Sequence, residues 1–168
     1  KKLTINKSMV ELSMQTFLPT ANFEECAAIL DGKRQWKQTV ETAQLINTLE
    51  NGGGWLNHPA CRMWRKNIDC LKHYFNVMLE ESIKRGIKVK KYKKLPVNIE
   101  SLRYPIWLGF PKLHSTHRGR LLDKKPDYYN KFGWLEIPIP ESSGYYWVTE
   151  KDGRVKQEVL DWFNNKGK

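Results

Sequence analysis

A chain of 168 residues, 40% of them apolar and including Trp 7 and Tyr 7, can bury one sizeable core. That excludes a largely disordered chain and leaves two independent domains cramped. A formal net charge of +11 opposes compaction unless a polyanion screens it, so nucleic acid is the first partner to consider and an anionic membrane surface the second.

Residues 1–13 are polar with scattered apolar positions and read as an arm or leader. Met14–Pro19 reads as an extended, partly buried segment. A short helix follows, capped by Asn22, with Phe23, Ala27 and Leu30 on one face and Asp31-Gly32 closing it. A second helix is predicted over 34–50. Its apolar stripe is Val40, Ala43, Ile46 and Leu49, with Arg34, Lys37, Gln38, Glu41 and Gln44 on the other faces. Three glycines at 52–54 break the pattern.

The strongest helix runs from Pro59 to about Arg85. Ala60, Trp64, Ile68, Leu71, Phe75, Met78 and Leu79 recur at steps of three and four. Arg62, Arg65 and Lys66 line its outer face near the start, and Gly86 stops it. Residues 84–94 hold seven Lys/Arg in eleven positions, which reads as a solvated loop or a strip that tracks phosphates. Residues 112–124 form another predicted helix, carrying His114, His117, Arg118 and Arg120. Aromatic and basic residues alternate over 126–134, residues 144–149 read as a short strand, and the tail from Lys156 to Asn164 reads as a terminal helix. The expected architecture is mainly α: a compact single-domain helical bundle with irregular loops over 14–150, and a C-terminal extension over 151–168.

Cys26, Cys61 and Cys70 are odd in number and lack C-x-x-C spacing, so neither a disulfide framework nor a zinc site is indicated. Cys61 and Cys70 read as small packed residues in a reducing compartment. No stretch approaches the roughly 20 apolar residues of a spanning helix and no signal peptide is visible, so no membrane association is expected. His58, His114 and His117 match no metal motif, and neither metal nor cofactor is expected.

Several groups carry chemistry. Glu41 and Lys37 stand at i,i+4, the spacing of an ordinary surface ion pair. Yet a carboxylate among Arg34, Lys37 and Gln38 on a DNA-binding surface would repel phosphates. Glycosidic cleavage gives it a purpose, because the sugar develops oxocarbenium character that a carboxylate stabilises. His58 and Arg62 at a helix start read as a cap with an exposed turn or as a phosphate grip. His114, His117 and Arg118 share one helix face and suit phosphate binding or plain solvent exposure. Tyr128, Tyr129 and Lys131, with Phe132 and Trp134, can stack bases and hold phosphates or close the core.

Taken in order, Met14–Pro19, Leu30-Asp31 with Lys37-Gln38 and Glu41, Trp55 with Asn57-His58-Pro59-Ala60, Arg62-Met63-Trp64, Lys84-Arg85-Gly86, Trp107-Leu108-Gly109, His114 with His117-Arg118, and Pro126-Asp127-Tyr128-Tyr129 resemble one family. It is the pyrimidine-dimer DNA glycosylases of the endonuclease V type, in the branch that opens with MQTFLP. The resemblance runs over 14–147. It implies an intracellular, monomeric, all-α enzyme, at home in a phage, virus or microbe, that kinks double-stranded DNA, flips a nucleotide and excises a damaged or modified pyrimidine. It puts the essential glutamate at Glu41 and the nucleophilic α-amine at Met14 or Gln15, with an imine and then β-elimination of the strand. Val40 stands where the typical enzyme has an arginine, so Arg34 or Lys37 must supply that phosphate contact. Thirteen residues precede Met14. Three routes follow: a freed α-amine, water activated by Glu41 without strand nicking, or Lys37 as a substitute amine. The alternative is a non-catalytic basic DNA-binding protein that keeps the fold.

Overall fold

A computed structural model describes residues 14–166; the 1–13 arm lies outside the described residues. Among the described residues there are seven α-helices and no strand. α1 is Phe23–Ile29, α2 Gly32–Asn51, α3 Pro59–Trp64, α4 Ile68–Lys84, α5 Pro111–Lys124, α6 Pro126–Tyr129 and α7 Gln157–Asn165.

The core is built around α4, which packs along α2 and against α1. Trp64, Trp107, Tyr74, Leu71, Met78 and Leu79 are fully buried there. Trp64 meets Trp107 edge-on at 4.9 Å between ring centroids, a favoured aromatic geometry. Asn22 caps α1 as its sequence demands, its Oδ1 accepting the Glu25 N–H at 2.9 Å. α7 closes the far side, with Val159 fully buried and Trp162 against Phe110 at 5.7 Å. Gly109, at φ 100, lies under Trp162: a Cβ there would come within 3.3 Å of the indole.

The structure corrects four expectations. Asp31-Gly32 opens α2 rather than only closing α1, with Asp31 at the N-cap position. The predicted Pro59–Arg85 helix is two helices, broken at residues 65–67. Asn67 turns there (φ −135, ψ 47) and sends its side-chain amide to the Arg103 carbonyl at 3.2 Å. This is the competition for backbone partners that makes Asn a helix breaker; the apolar stripe hides it because both helices face one core. Residues 144–149 form no strand, only an isolated antiparallel bridge between Thr149 and Val155. Lastly, the buried face of α2 is polar over residues 35–42 and apolar only further on, at Leu45 and the expected Ile46. Gln35, Gln38, Thr39, Glu41 and Thr42 are buried, while Val40 and Ala43 of the expected stripe are half-buried. The reason lies in what packs there: the extended backbone of residues 14–18 and the hydroxyl of Ser82, whose polar atoms need partners out of water.

Candidate active site and nucleic-acid interface

Residues 14–18 are the hub of the site. They are extended, buried and wedged between α2, α3, α4 and α5. Side chains, not a sheet, satisfy their backbone. Gln38 accepts the Phe17 N–H at 2.8 Å and donates to the Gln15 carbonyl at 2.9 Å. The Tyr74 hydroxyl lies 2.9 Å from both the Phe17 carbonyl and Gln38 Oε1, donating to one at a time. Trp64 Nε1 donates to Thr16 Oγ1 at 3.0 Å.

Two histidines complete the seat. His117 Nδ1 accepts the Leu18 N–H at 2.9 Å, so its proton sits on Nε2. His114 Nε2 accepts the Gly109 N–H at 2.9 Å, which leaves Nδ1 to donate to the Leu18 carbonyl at 2.8 Å. Both rings are therefore held neutral. Burial drives the His117 pKa down to about 3, with His114 and Arg120 adding to the effect, and burial lowers that of His114 as well. They do share a face, as the spacing predicts, but it is the inner face. His114, His117 and Gln38 hold the Met14–Leu18 backbone and are withdrawn from a phosphate-binding surface. Arg118, one step further out, donates to the Pro19 carbonyl at 2.8 Å and pairs with Glu136.

Glu41 faces this segment. Its side chain is only 9% exposed, and the Gln15 backbone N–H is hydrogen-bonded to its carboxylate. Burial raises its pKa, opposed by Lys37, by the Gln15 N–H and by the charge of Lys124. The Lys37–Glu41 ion pair predicted by spacing exists, at 3.5 Å, but its acid partner is buried and its lysine exposed. Met14 and Gln15 are fully buried beside it.

Lys37 and Lys124 act on the carboxylate, and Arg34 and Arg120 act on Lys124. Arg34 is half-buried and reaches both oxygens of Asp31 at 3.2 Å. Asp31 also accepts the Tyr129 hydroxyl at 2.5 Å, so Tyr129 is a buried brace for Arg34 and not a base-stacking platform. Tyr128 is half-buried, with Lys131 over its ring at 3.9 Å. On α5, Arg120 and Lys124 stand at i,i+4 and complete the frame. Burial and the charges of Arg34, Arg120 and Lys37 lower the Lys124 pKa, while Glu141 opposes them. Arg120 is 1% exposed, its guanidinium lies 4.5 Å from the Tyr145 ring centroid, and Nη2 donates to the Gly144 carbonyl. Its Nε and Nη1 have no protein partner. Arg120, Tyr145 and Thr116 line a cavity of about 270 Å³. Arg120, Lys124 and Tyr145 were not among the site residues expected from sequence; the i,i+4 pair on the helix after Pro111 was the available signal.

The remaining expected residues gather elsewhere. Arg62, Arg65 and Lys66, with Arg103 and Arg154, line a groove of about 540 Å³. Arg62 donates to the Lys151 carbonyl and Arg65 to the Leu56 carbonyl at 3.2 Å. His58 caps α3, its Nδ1 accepting the Ala60 N–H at 3.0 Å, and lies edge-on to Trp147 at 5.8 Å. Trp147 in turn meets Tyr145, so residues 145–147 run from the Arg120 cavity to the start of α3. Arg103 and Arg154 are far apart in sequence and gave no pattern to read.

Among the described residues no cluster of three or more His, Cys, Asp or Glu is placed to hold a metal, and no helix is long and apolar enough to cross a membrane. The three cysteines are free and buried; desolvation pushes Cys26 and Cys70 up to about 12 and Cys61 to about 11, which leaves them unreactive thiols.

The arrangement is thus a buried carboxylate flanked by two lysines in a basic, all-helical frame. The family model described as pyrimidine dimer DNA glycosylase matches residues 14–95, which span the seat, Glu41 and the first three cations of the groove. Over that segment, just under half of the chain, the protein is similar to the pyrimidine dimer DNA glycosylase family. No curated protein and no solved structure matches the chain.

Proposed function

We propose that the protein excises a damaged or modified pyrimidine from duplex DNA, with Glu41 as the catalytic carboxylate. The observation that carries this is the contact between the buried Glu41 carboxylate and the Gln15 nitrogen, with Lys37 and Lys124 beside it. A carboxylate this recessed cannot meet a stacked sugar, so the target nucleotide has to leave the helix. Arg34, Lys37 and Lys124 then neutralise the flanking phosphates, and the unpartnered N–H groups of Arg120 take a further phosphate oxygen. As the C1′–N bond of the pyrimidine breaks, positive charge grows on C1′ and the ring oxygen, and Glu41 stabilises it from a desolvated position.

The geometry also bears on the nucleophile. As a peptide nitrogen, residue 15 has its lone pair delocalised and cannot attack. Glu41 then accepts a proton from water, water adds to C1′, and the products are free base and an abasic sugar. Freed as an α-amine, the same nitrogen sits against the base that would take its proton. It adds to C1′ as the pyrimidine departs, the sugar ring opens to an imine, and loss of the C2′ proton expels the 3′-phosphate, nicking the strand. Lys37 is the weaker amine, because its exposed ammonium is paired with Glu41 and kept charged.

Borohydride trapping on duplexes carrying a thymine dimer, a hydroxymethylated pyrimidine or an abasic site, read by intact mass and peptide mapping, tests both halves. A covalent adduct at residue 14 or 15 marks the imine route, and base release without adduct marks the water route. No base release from any duplex, or equal release by wild type and Glu41→Gln, overturns the proposal.

A further inference from the structure

The cationic run over residues 84–94 takes no part in the site above, and it is not a loose loop. Arg85 anchors one end, donating to the Ala27 and Ala28 carbonyls at 3.1 Å and pairing with Glu81. Leu95 and Asn76 anchor the other through two reciprocal hydrogen bonds of 2.8 Å. Between them Tyr92 wedges edge-on against Trp36 and Phe75. Ile87, Val89, Tyr92 and Leu95 are half-buried, while Lys88, Lys90, Lys91, Lys93 and Lys94 are exposed. The segment is thus a ridge with an apolar underside and a lysine crest. Among the described residues only Arg85 and Lys94 of its seven cations are in ion pairs.

The ridge lies across α2 from the catalytic face. Trp36 touches Tyr92, and Ala43 and Asn47 share a cavity of about 520 Å³ with Lys91 and Tyr92. At about 100° per residue these positions stand roughly 120–160° around the helix from Glu41. One duplex seated on Glu41 would have to turn through most of that angle to reach the crest. DNA has a persistence length of about 50 nm, and bending a short site by 40–90° already costs on the order of 1–6 kcal/mol.

We propose that the ridge binds a second segment of duplex DNA while the Glu41 face holds the first, so that one molecule bridges two duplexes; this rests on the reading of the chain as a DNA-acting enzyme. Exposed lysines on an extended backbone offer phosphate contacts without base readout, the requirement for holding DNA of any sequence. DNA is favoured over RNA or an anionic membrane because it is the polyanion on which the opposite face already works, and neighbouring segments of it are then at high local concentration.

The test captures a fluorescent undamaged duplex on beads carrying a second undamaged duplex, with full-length protein between them. The quadruple variant Lys88→Gln, Lys90→Gln, Lys91→Gln and Lys93→Gln is compared with wild type, and thermal melting checks its fold. Support is a loss of capture of about tenfold or more, with base release from a single short lesion duplex unchanged. Undiminished capture overturns the proposal, as it would if bridging came from a dimer using two Glu41 faces. A parallel loss of base release also overturns it, placing the ridge on the track of the first duplex, as does ridge-dependent binding of duplex RNA or phosphatidylserine vesicles without capture of DNA. If wild type bridges duplexes yet releases no base, the glycosylase reading fails and the ridge stands.

Discussion

The seat of residues 14–18 and the Arg62–Arg154 groove are both rich in polar side chains, and they use them oppositely. In the seat, Gln38, Tyr74, His114 and His117 are buried and turn inward to fixed backbone partners. In the groove, Arg65, Lys66, Arg103 and Arg154 are exposed and turn outward. A polar atom in the first region sets where the Glu41 neighbourhood lies; one in the second only adds charge to a surface. Substitutions should therefore divide cleanly: large effects on stability and catalysis at the seat, small effects on salt-dependent affinity at the groove.

The largest effect belongs to Gln38→Ala. It leaves the Phe17 N–H and the Gln15 carbonyl buried without their partner. Each orphaned group costs about 1–3 kcal/mol, so a destabilisation of about 3 kcal/mol or more is expected in urea titrations, with base release lost as the segment shifts. A cost under about 1 kcal/mol would mean that the apolar contacts of Phe17 and Leu18 seat the segment by themselves.

Glu41→Gln separates stability from chemistry. Base release should fall by about a hundredfold or more, the scale of losing one preorganised electrostatic group. The fold should become more stable at pH 7. Burial raises the Glu41 pKa in the folded chain above its unfolded value. Between the two values the folded state holds a proton that the unfolded state has released, so stability falls as pH rises through that window and stays reduced above it. The amide removes that penalty and can still accept the Gln15 N–H. A lower melting temperature would show that the Lys37 pair outweighs the desolvation.

The sequence marked Met14–Pro19 as extended and partly buried. Why the side chains that hold it escaped while much of the helical frame did not follows from these residues. The stripe of Ala60, Trp64, Leu71, Phe75 and Met78 announces burial because apolar side chains at helical spacing have no other use. Gln38, His114 and His117 carry no such mark. Their partners are backbone atoms of a segment remote in sequence, so nothing local distinguishes a buried Gln from a solvated one. For the same reason Asp31, braced by Tyr129 from 98 positions away, read as a turn residue. Glu41 itself was picked out by the ordered motifs; its i,i+4 partner alone describes an ordinary surface pair. The break at Asn67 stayed hidden because its cause is the Arg103 carbonyl.

The histidine clamp gives a pH signature to one region only. His117 titrates near 3 in the folded chain and near 6.5 when unfolded. Between those values the unfolded state binds the extra proton, so stability is full above about 6.5 and declines as pH falls toward 3. His117→Gln should flatten that acid limb even if it lowers stability overall. The slope of unfolding free energy against pH from 6.5 to 4 is the measurement, and an unchanged slope would show that His117 titrates alike in the folded and unfolded chain and so does not hold Leu18 through Nδ1.

The smallest effect should come from Arg65→Ala or Lys66→Ala. Both side chains are exposed, and Arg65 makes a 3.2 Å hydrogen bond to the Leu56 carbonyl at the surface. Stability should change by less than about 0.5 kcal/mol. If the groove carries the duplex backbone, each substitution removes about one phosphate contact, and the slope of log affinity against log salt should shrink by about 0.9. The turnover of bound substrate should not change, because nothing in the groove touches the Glu41 carboxylate or its Gln15 partner. An unaltered salt slope would move the backbone track off the groove and onto the Arg34–Lys37–Lys124 side. A drop in single-turnover rate at saturating protein would erase the division between the two regions, since a surface cation would then be helping to set the catalytic geometry.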